Sequence, residues 1–225
     1  MIYITYFILI FAGIQFFVAL SNIIFSLVLK KRITLEKPFI SVLIPARNEE
    51  ENITDLLNDL LEQDYENIEI IIFNDESTDN TERIVKDYMK KDTRIKLINS
   101  DGLPGGWVGK NYACNSLAKN ANGGYFLFLD ADVRVGKNLI DSVLSHIQKY
   151  KLSLLSIFPK QIMLTRAEKI VVPLMNFILL SLLPLRLVRK SKFSSLAAAN
   201  GQFMFFDSEC YRKLEPHKKF RNSKV

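Results

Sequence analysis

The sequence predicts an α/β fold built on a mostly parallel sheet and preceded by one transmembrane helix. Short apolar segments recur at intervals of 27 to 30 residues, with helical periodicity between them, which is typical of right-handed βαβ units. A long apolar run comes before them at the N-terminus. The recurring segments are residues 39–44, 68–73, 95–98, 125–129 and 152–158.

The first element is the apolar run within residues 1–29, which is long enough to cross a bilayer as a helix. A cleaved signal peptide fits less well, because no basic segment precedes the run and the run is too long. A buried core helix stays open as an alternative. Lys30, Lys31 and Arg32 follow within a basic linker, residues 30–38. By the positive-inside rule, we expect a single-pass anchor in the cell membrane, with the following domain in the cytoplasm.

Residues 39–225 are predicted to form that domain. Its strands are continuously apolar, as expected for strands buried on both faces of a sheet. Apolar stripes at helical spacing predict helices around residues 56–61, 84–89 and 139–147. A second apolar stretch, within residues 167–190, is interrupted by prolines and flanked by basic residues, so it fits either a membrane-interfacial helix or a partly buried domain helix.

Two helix starts are suggested by capping residues. Asn48, with Glu51 three residues later, resembles a capping box for the first helix of the domain. Ser77 or Thr78 is a candidate cap for the second.

The net charge is +6, and the excess is concentrated from residue 186 onward, where there are ten Lys and Arg against three Asp and Glu. No nucleic-acid motif accompanies these charges, so we expect anionic lipid rather than nucleic acid as the partner. Cys114 and Cys210 have neither metal-ligand nor disulfide spacing, and no role is assigned to them.

Asp130 and Asp132 follow the apolar segment 125–129 directly. If the chain stays extended, both side chains point to the same side, at the end of a strand where open α/β sheets bind ligands. Two carboxylates completed by a substrate's phosphates suit Mg²⁺. A plain strand-to-turn transition is the alternative, because Asp is a common turn residue.

Other polar segments are expected at the same edge of the sheet. They are residues 44–50 and 74–81, which follow the first two strands, and Lys110, which follows the glycine-rich loop 101–109. At a helix start, Lys110 and backbone N–H groups can meet a diphosphate. A phosphatase of the haloacid dehalogenase type, with Asp130 as nucleophile and Asp132 as acid/base, is a rival interpretation that leaves the earlier strands unexplained.

These motifs together resemble family 2 glycosyltransferases, which are inverting enzymes with the Rossmann-like GT-A fold. Segments 41–49 and 71–81 resemble the nucleotide-binding loops of the family, although Asn74 and Glu76 depart from its usual residues. Asp130-Ala131-Asp132 resembles its DxD motif. The segments 103–113 and 199–206 resemble a membrane-associated branch that acts on carotenoids and other polyisoprenoids.

The resemblance implies a UDP-sugar donor, Mg²⁺ or Mn²⁺ as cofactor, and transfer of a hexose such as glucose to a carotenoid carboxylate or another lipid acceptor. It places the metal on Asp130 and Asp132. It implies donor binding by Pro45, Ala46, Asn48, Glu49, Asp75, Lys110, Asp130 and Ala131, with Asp75 on uracil or ribose. It places Trp107, Asn200, Gly201 and Gln202 on the acceptor side. In the family the catalytic base follows later in the sequence, so we expect it beyond Val225; a nucleotide-sugar-binding fragment without turnover is the alternative.

Overall fold

The computed structural model describes residues 1–25, 28–30, 32, 34, 36–191, 193 and 199–223. Lys31 of the predicted basic linker lies outside them. The chain divides into two compact units. One consists of Met1–Val28 and Lys160–Ala198, and the other of Leu29–Pro159 and Ala199–Val225.

The first unit is helical. Helix α1 (Ile2–Ile24) is the one helix, among the described residues, that is long and apolar enough to cross a membrane. Two more helices, α6 (Arg166–Leu182) and α7 (Leu185–Lys190), occupy the stretch predicted as one interfacial or domain helix. Thr165 and Glu168 form a capping box at the start of α6. The association of the stretch 167–190 with a membrane interface stays a prediction.

Asn22 of α1 makes polar contacts with the chain at the junction of α6 and α7. Its side-chain Nδ2 donates to the carbonyls of Leu180 and Leu183, each at 2.8 Å, and its Oδ1 accepts from the N–H of Leu185 at 3.0 Å. These groups belong to the end of α6 and the start of α7, where the helical ladder is interrupted. A single buried amide therefore satisfies three backbone groups among exposed apolar side chains.

The second unit is a six-stranded mixed sheet. Its strands are β1 (Ile40–Ala46), β2 (Ile68–Asn74), β3 (Ile95–Asn99), β4 (Tyr125–Leu129), β5 (Leu154–Ser156) and β6 (Phe203–Asp207). They lie in the order β3-β2-β1-β4-β6-β5. The first four strands in this order are parallel, whereas β6 runs antiparallel to both β4 and β5. The predicted α/β fold with a mostly parallel sheet is confirmed.

Helices cover both faces of the sheet. Successive side chains of β1 alternate between the faces, so Val42 packs into one core and Leu43 into the other. Helices α2 (Ile53–Leu61), α3 (Thr81–Met89) and α5 (Leu139–Tyr150) pack on the first core, and α4 (Gly109–Asn120) on the second. Two short helices, α8 (Ser208–Leu214) and α9 (Pro216–Lys219), follow β6.

The structure differs from the sequence predictions at three local points. Strand β6 occupies residues 203–207 and overlaps the end of segment 199–206, where the sequence predicted no strand, because its aromatic residues pair with β4. Helix α2 begins after Asn52, so Asn48 is not its cap; Asn48 has a φ of 56° in the loop before it. Helix α3 begins after Asn80 rather than after Ser77 or Thr78.

Candidate active site

A cleft of about 260 Å³ opens where β1, β2 and β4 end at the same edge of the sheet. Carboxylates and two cations dominate its wall. It is lined by Pro45, Ala46, Arg47, Glu49, Asp75, Lys110, Ala113, Asp130, Ala131 and Asp132. Every residue predicted for donor or metal binding therefore lines this cleft, except Asn48. Arg47 and Ala113 were not predicted.

Asp75 lies directly after β2, where the backbone holds it in place. Its N–H donates to the carbonyl of Ala46 at 2.9 Å, and its Oδ2 lies 3.4 Å from Nη1 of Arg47. The first residue of α4, Gly109, comes so near that a Cβ added there would lie 3.1 Å from Oδ2 of Asp75. A carboxylate beside the N-terminus of a helix is favoured by the helix dipole.

Asp130 and Asp132 share the cleft, but a turn places them there rather than an extended chain. Strand β4 ends at Leu129, and the N–H of Val133 donates to the carbonyl of Asp130 at 3.3 Å. The N–H of Asp130 donates to the carbonyl of Gln202 at 3.1 Å, which fixes the start of the turn. Asp132 is exposed, and no ion pair engages it within the described part of the chain.

Lys110 lies in the first turn of α4 and reaches across to Asp130. Its Nζ is 2.6 Å from Oδ1 and 2.7 Å from Oδ2 of that carboxylate. Gly201 adjoins the ammonium, because a Cβ there would lie 3.8 Å from Nζ. The ammonium thus lies between the turn that carries the two aspartates and the loop that precedes β6.

Asn48 has a bracing role instead of lining the cleft. Its Oδ1 accepts from the N–H of Thr78 at 2.8 Å, and its own N–H donates to Oγ of Ser77 at 3.0 Å. The N–H of Glu49 donates to Oγ1 of Thr81 at 2.8 Å. These bonds join the loop after β1 to the loop after β2, which keeps Glu49 and Asp75 on one wall.

The residues predicted for the acceptor side lie next to the cleft rather than in its lining. Trp107 is half-buried and packs edge-on against Tyr112, with ring centroids 5.7 Å apart. Oδ1 of Asn200 accepts from the N–H of Gln202 at 2.8 Å, which shapes the loop that contacts Lys110 and Asp130. Their contact with an acceptor stays a prediction.

A buried corner behind α4 involves residues to which the sequence had assigned no role. The Tyr211 hydroxyl lies 2.7 Å from Nδ1 of His217. Burial raises the pKa of Tyr211, so the phenol keeps its proton and donates it to the imidazole. Burial, with the nearby charge of Lys110, lowers the pKa of His217 to about 4, so this histidine is neutral at pH 7. Burial raises the pKa of Cys114 to about 12, so this thiol keeps its proton at pH 7.

The segment after α9 holds the start of α4. Nδ2 of Asn111 donates to the carbonyls of Phe220 and Ser223 at 2.9 and 3.1 Å. The N–H of Val108 donates to the carbonyl of Arg221 at 2.8 Å. The backbone around Lys110 is thereby anchored on both sides.

The described residues contain no cluster of three or more His, Cys, Asp or Glu side chains that can hold a metal by themselves. Asp130 and Asp132 supply oxygen donors from one turn, which suits a hard cation such as Mg²⁺ or Mn²⁺ that takes its other ligands from water and a bound phosphate. The residues present therefore fit a metal that binds together with a phosphorylated ligand.

The profile of Glycosyl transferase family 2 matches residues 41–214, and this span contains every lining residue of the cleft. The chain belongs to glycosyltransferase family 2. The match decides against the haloacid dehalogenase interpretation of Asp130 and Asp132. It also agrees with the motifs from which the resemblance to this family was predicted.

Among curated members of the family, the chain is 33% identical over 136 residues to the 4,4'-diaponeurosporenoate glycosyltransferase of Staphylococcus aureus, covering 59% of this chain and 34% of that protein. It is 33% identical over 110 residues to the glycosyltransferase GlyG of Streptococcus pneumoniae, covering 49% of this chain and 35% of the relative. These alignments thus span about a third of the relatives' length.

Two solved structures share the fold. A mannosyltransferase of Pyrobaculum calidifontis, solved with GDP-mannose and Mn²⁺, superposes with a TM-score of 0.63 over 92% of this chain and 56% of its own, at 16% identity. S. aureus TarS in complex with UDP superposes with a TM-score of 0.57 over 79% of this chain and 49% of its own, at 21% identity. The predicted GT-A fold is confirmed.

Proposed function

We propose that this chain is a membrane-anchored inverting glycosyltransferase that takes a hexose, such as glucose, from a UDP-sugar and transfers it to the carboxylate of a carotenoid or another polyisoprenoid lipid. The observation that carries the proposal is the cleft in which Asp75, Lys110, Asp130 and Asp132 converge from two strand ends and a helix start. Family 2 membership supports it.

The donor half rests on the chemistry of the two walls. Asp75, after β2, offers a carboxylate to the N–H of a uracil or the hydroxyls of a ribose. Lys110 and the turn at Asp130 lie on the other wall, where a diphosphate needs positive charge. TarS, which shares the fold, has been solved with UDP, and this favours the same base for the donor.

Asp130 and Asp132 are the residues that would hold the metal. When bound, the cation neutralises the charge that develops on the leaving diphosphate. Mn²⁺ accompanies GDP-mannose in the mannosyltransferase of the same fold, which supports a divalent ion here. The ammonium of Lys110, which pairs with the carboxylate of Asp130, adds a second positive charge on this side of the cleft.

The acceptor half rests on the S. aureus relative, whose name specifies a carotenoid carboxylate as its acceptor. A carboxylic acid is already ionised at pH 7, so its oxygen can attack the anomeric carbon without losing a proton in the same step. The bond from the sugar to the UDP oxygen breaks as the new ester bond forms on the opposite face. UDP leaves with the electron pair, and no proton has to be removed from the acceptor.

A lipid acceptor also agrees with the helical unit. Helix α1 has the length and hydropathy of a membrane span, and α6 exposes large apolar side chains. Arg166 and Lys169 at the start of α6 are suited to anionic head groups. We propose that α1 anchors the chain in the cell membrane, with the cleft on the cytoplasmic side.

The test is transfer of radiolabelled glucose from UDP-glucose to an extracted carotenoid acid by the full chain in detergent, with Mn²⁺ or Mg²⁺. We expect a labelled product that migrates as a glycosyl ester and is absent with Asp132→Ala. Binding of UDP without transfer to any carboxylate or hydroxyl lipid would indicate a nucleotide-sugar-binding protein. Absence of UDP binding would contradict the donor site itself.

A further inference from the structure

We propose that Lys110 is a place-holder for the metal: it neutralises Asp130 while the donor is absent and moves to the donor's diphosphate when the cation takes its place. Metal and nucleotide binding would then depend on each other. The inference rests on the proposed donor site and adds the regulation of that site.

The first argument is that the carboxylate of Asp130 is already paired with the ammonium of Lys110. Both of its carboxylate oxygens lie within 2.7 Å of Nζ of Lys110. A divalent cation such as Mg²⁺, bound to one of these oxygens at about 2.0–2.1 Å, would lie against the ammonium and repel it. The ion pair and the metal therefore exclude each other, whereas Asp132 stays free of any ion pair found among the described residues.

The second argument is that the side chain of Lys110 can move while its surroundings stay fixed. Asp130 is held by its N–H bond to the carbonyl of Gln202, and α4 is held by the amide of Asn111. The side chain of Lys110 is 48% exposed, and its flexible stem can carry the ammonium from one oxygen to another. A change of partner therefore needs no change in the fold.

The third argument is the charge of the cleft. Its lining carries four carboxylates, Glu49, Asp75, Asp130 and Asp132, against two cations, Arg47 and Lys110. This excess of negative charge opposes binding of a diphosphate alone. A divalent cation cancels the excess, and the diphosphate then receives the ammonium that the cation has displaced. Each ligand thus removes the main electrostatic obstacle to the other.

The test measures Mn²⁺ binding by electron paramagnetic resonance, with and without UDP, on the full chain in detergent. In the wild type we expect weak Mn²⁺ binding that UDP strengthens. In Lys110→Met, Mn²⁺ binding without UDP should strengthen by about tenfold, because a competing unit charge is gone, and the gain from UDP should shrink. Lys110→Arg keeps the charge and should keep the dependence on UDP. Lys137→Met, at an exposed ion pair with Glu62, is the matched control and should behave as the wild type.

The outcomes separate this inference from the donor-site proposal. If UDP binds no variant under any condition, the donor site fails. If UDP and Mn²⁺ bind the wild type but Lys110→Met changes neither the affinity for Mn²⁺ alone nor its dependence on UDP, the place-holder role is overturned. UDP binding that needs Lys110 but is indifferent to Mn²⁺ would also overturn it, because the lysine would then replace the metal instead of yielding to it. A thermal melt of each variant shows whether it is folded.

Discussion

Replacing Gly109 by alanine should weaken donor binding without weakening the fold. The added Cβ would lie 3.1 Å from Oδ2 of Asp75, so the carboxylate must retreat by about 0.3 Å to reach ordinary contact. Asp75 is buried against β1 and cannot move freely. A forced rotation of its side chain costs about 0.7–1.4 kcal/mol, which is about a three- to tenfold loss of UDP affinity.

The assay is isothermal titration of UDP in the presence of Mn²⁺, combined with a thermal melt. Thermal stability should change little, because the preference for alanine over glycine in a helix, about 0.5–1 kcal/mol, offsets most of the cost of the rotated Asp75 side chain. Gly105→Ala, in the same loop, is the control, since nothing lies within 4 Å of its added Cβ. An unchanged dissociation constant for UDP in Gly109→Ala would refute the assignment of Asp75 to the donor site.

Three further predictions concern stability. His217 is neutral in the folded chain, with a pKa of about 4 against 6.5 when unfolded, so its contribution to folding stability is complete above pH 6.5 and falls as the pH drops towards 4. When the pH is lowered from 7.5 to 4.5, the free energy of unfolding measured with denaturant should therefore fall by about 2–3 kcal/mol less in His217→Phe than in the wild type. Gly123→Ala should cost about 1–3 kcal/mol in a urea titration, because its Cβ would lie 2.6 Å from the backbone nitrogen of Ser41, whereas Gly136→Ala should be tolerated. Asn22→Leu should lower the unfolding free energy of the helical unit in detergent micelles by about 1–2 kcal/mol, because it removes three hydrogen bonds to the chain at the junction of α6 and α7. An unchanged unfolding free energy would show that the amide is dispensable.

The sequence was sufficient to predict the parallel part of the sheet and most of the residues that line the cleft. Strands buried on both faces are mostly apolar, so β1, β2 and β4 stand out within the chain, and the partly buried edge strand β3 follows from the regular spacing. Parallel strands end at one edge, so the polar residues after them were expected to meet, and Asp75, Asp130 and Asp132 do. Arg47 was overlooked although it directly follows Ala46 at the end of β1.

What the sequence missed depends on distant parts of the chain. Strand β6 exists because residues 203–207 pair with β4, and that register is decided by contacts about 80 residues apart. The spacing of Asp130 and Asp132 cannot distinguish a strand from a turn, because side chains two apart can share a side in either. The pairing of Lys110 with Asp130 and the neutrality of His217 follow from burial and packing, which local sequence does not encode.

The central claim is that the cleft binds a nucleoside diphosphate together with a divalent cation. Its most direct test is the melting temperature of the full chain in detergent with UDP alone, Mn²⁺ alone and both, for the wild type and Asp132→Ala. We predict a rise with both ligands in the wild type that exceeds the rises with either ligand alone, and no such synergy in Asp132→Ala. Equal stabilisation by UDP with and without Mn²⁺, or an unchanged response in Asp132→Ala, would contradict the account.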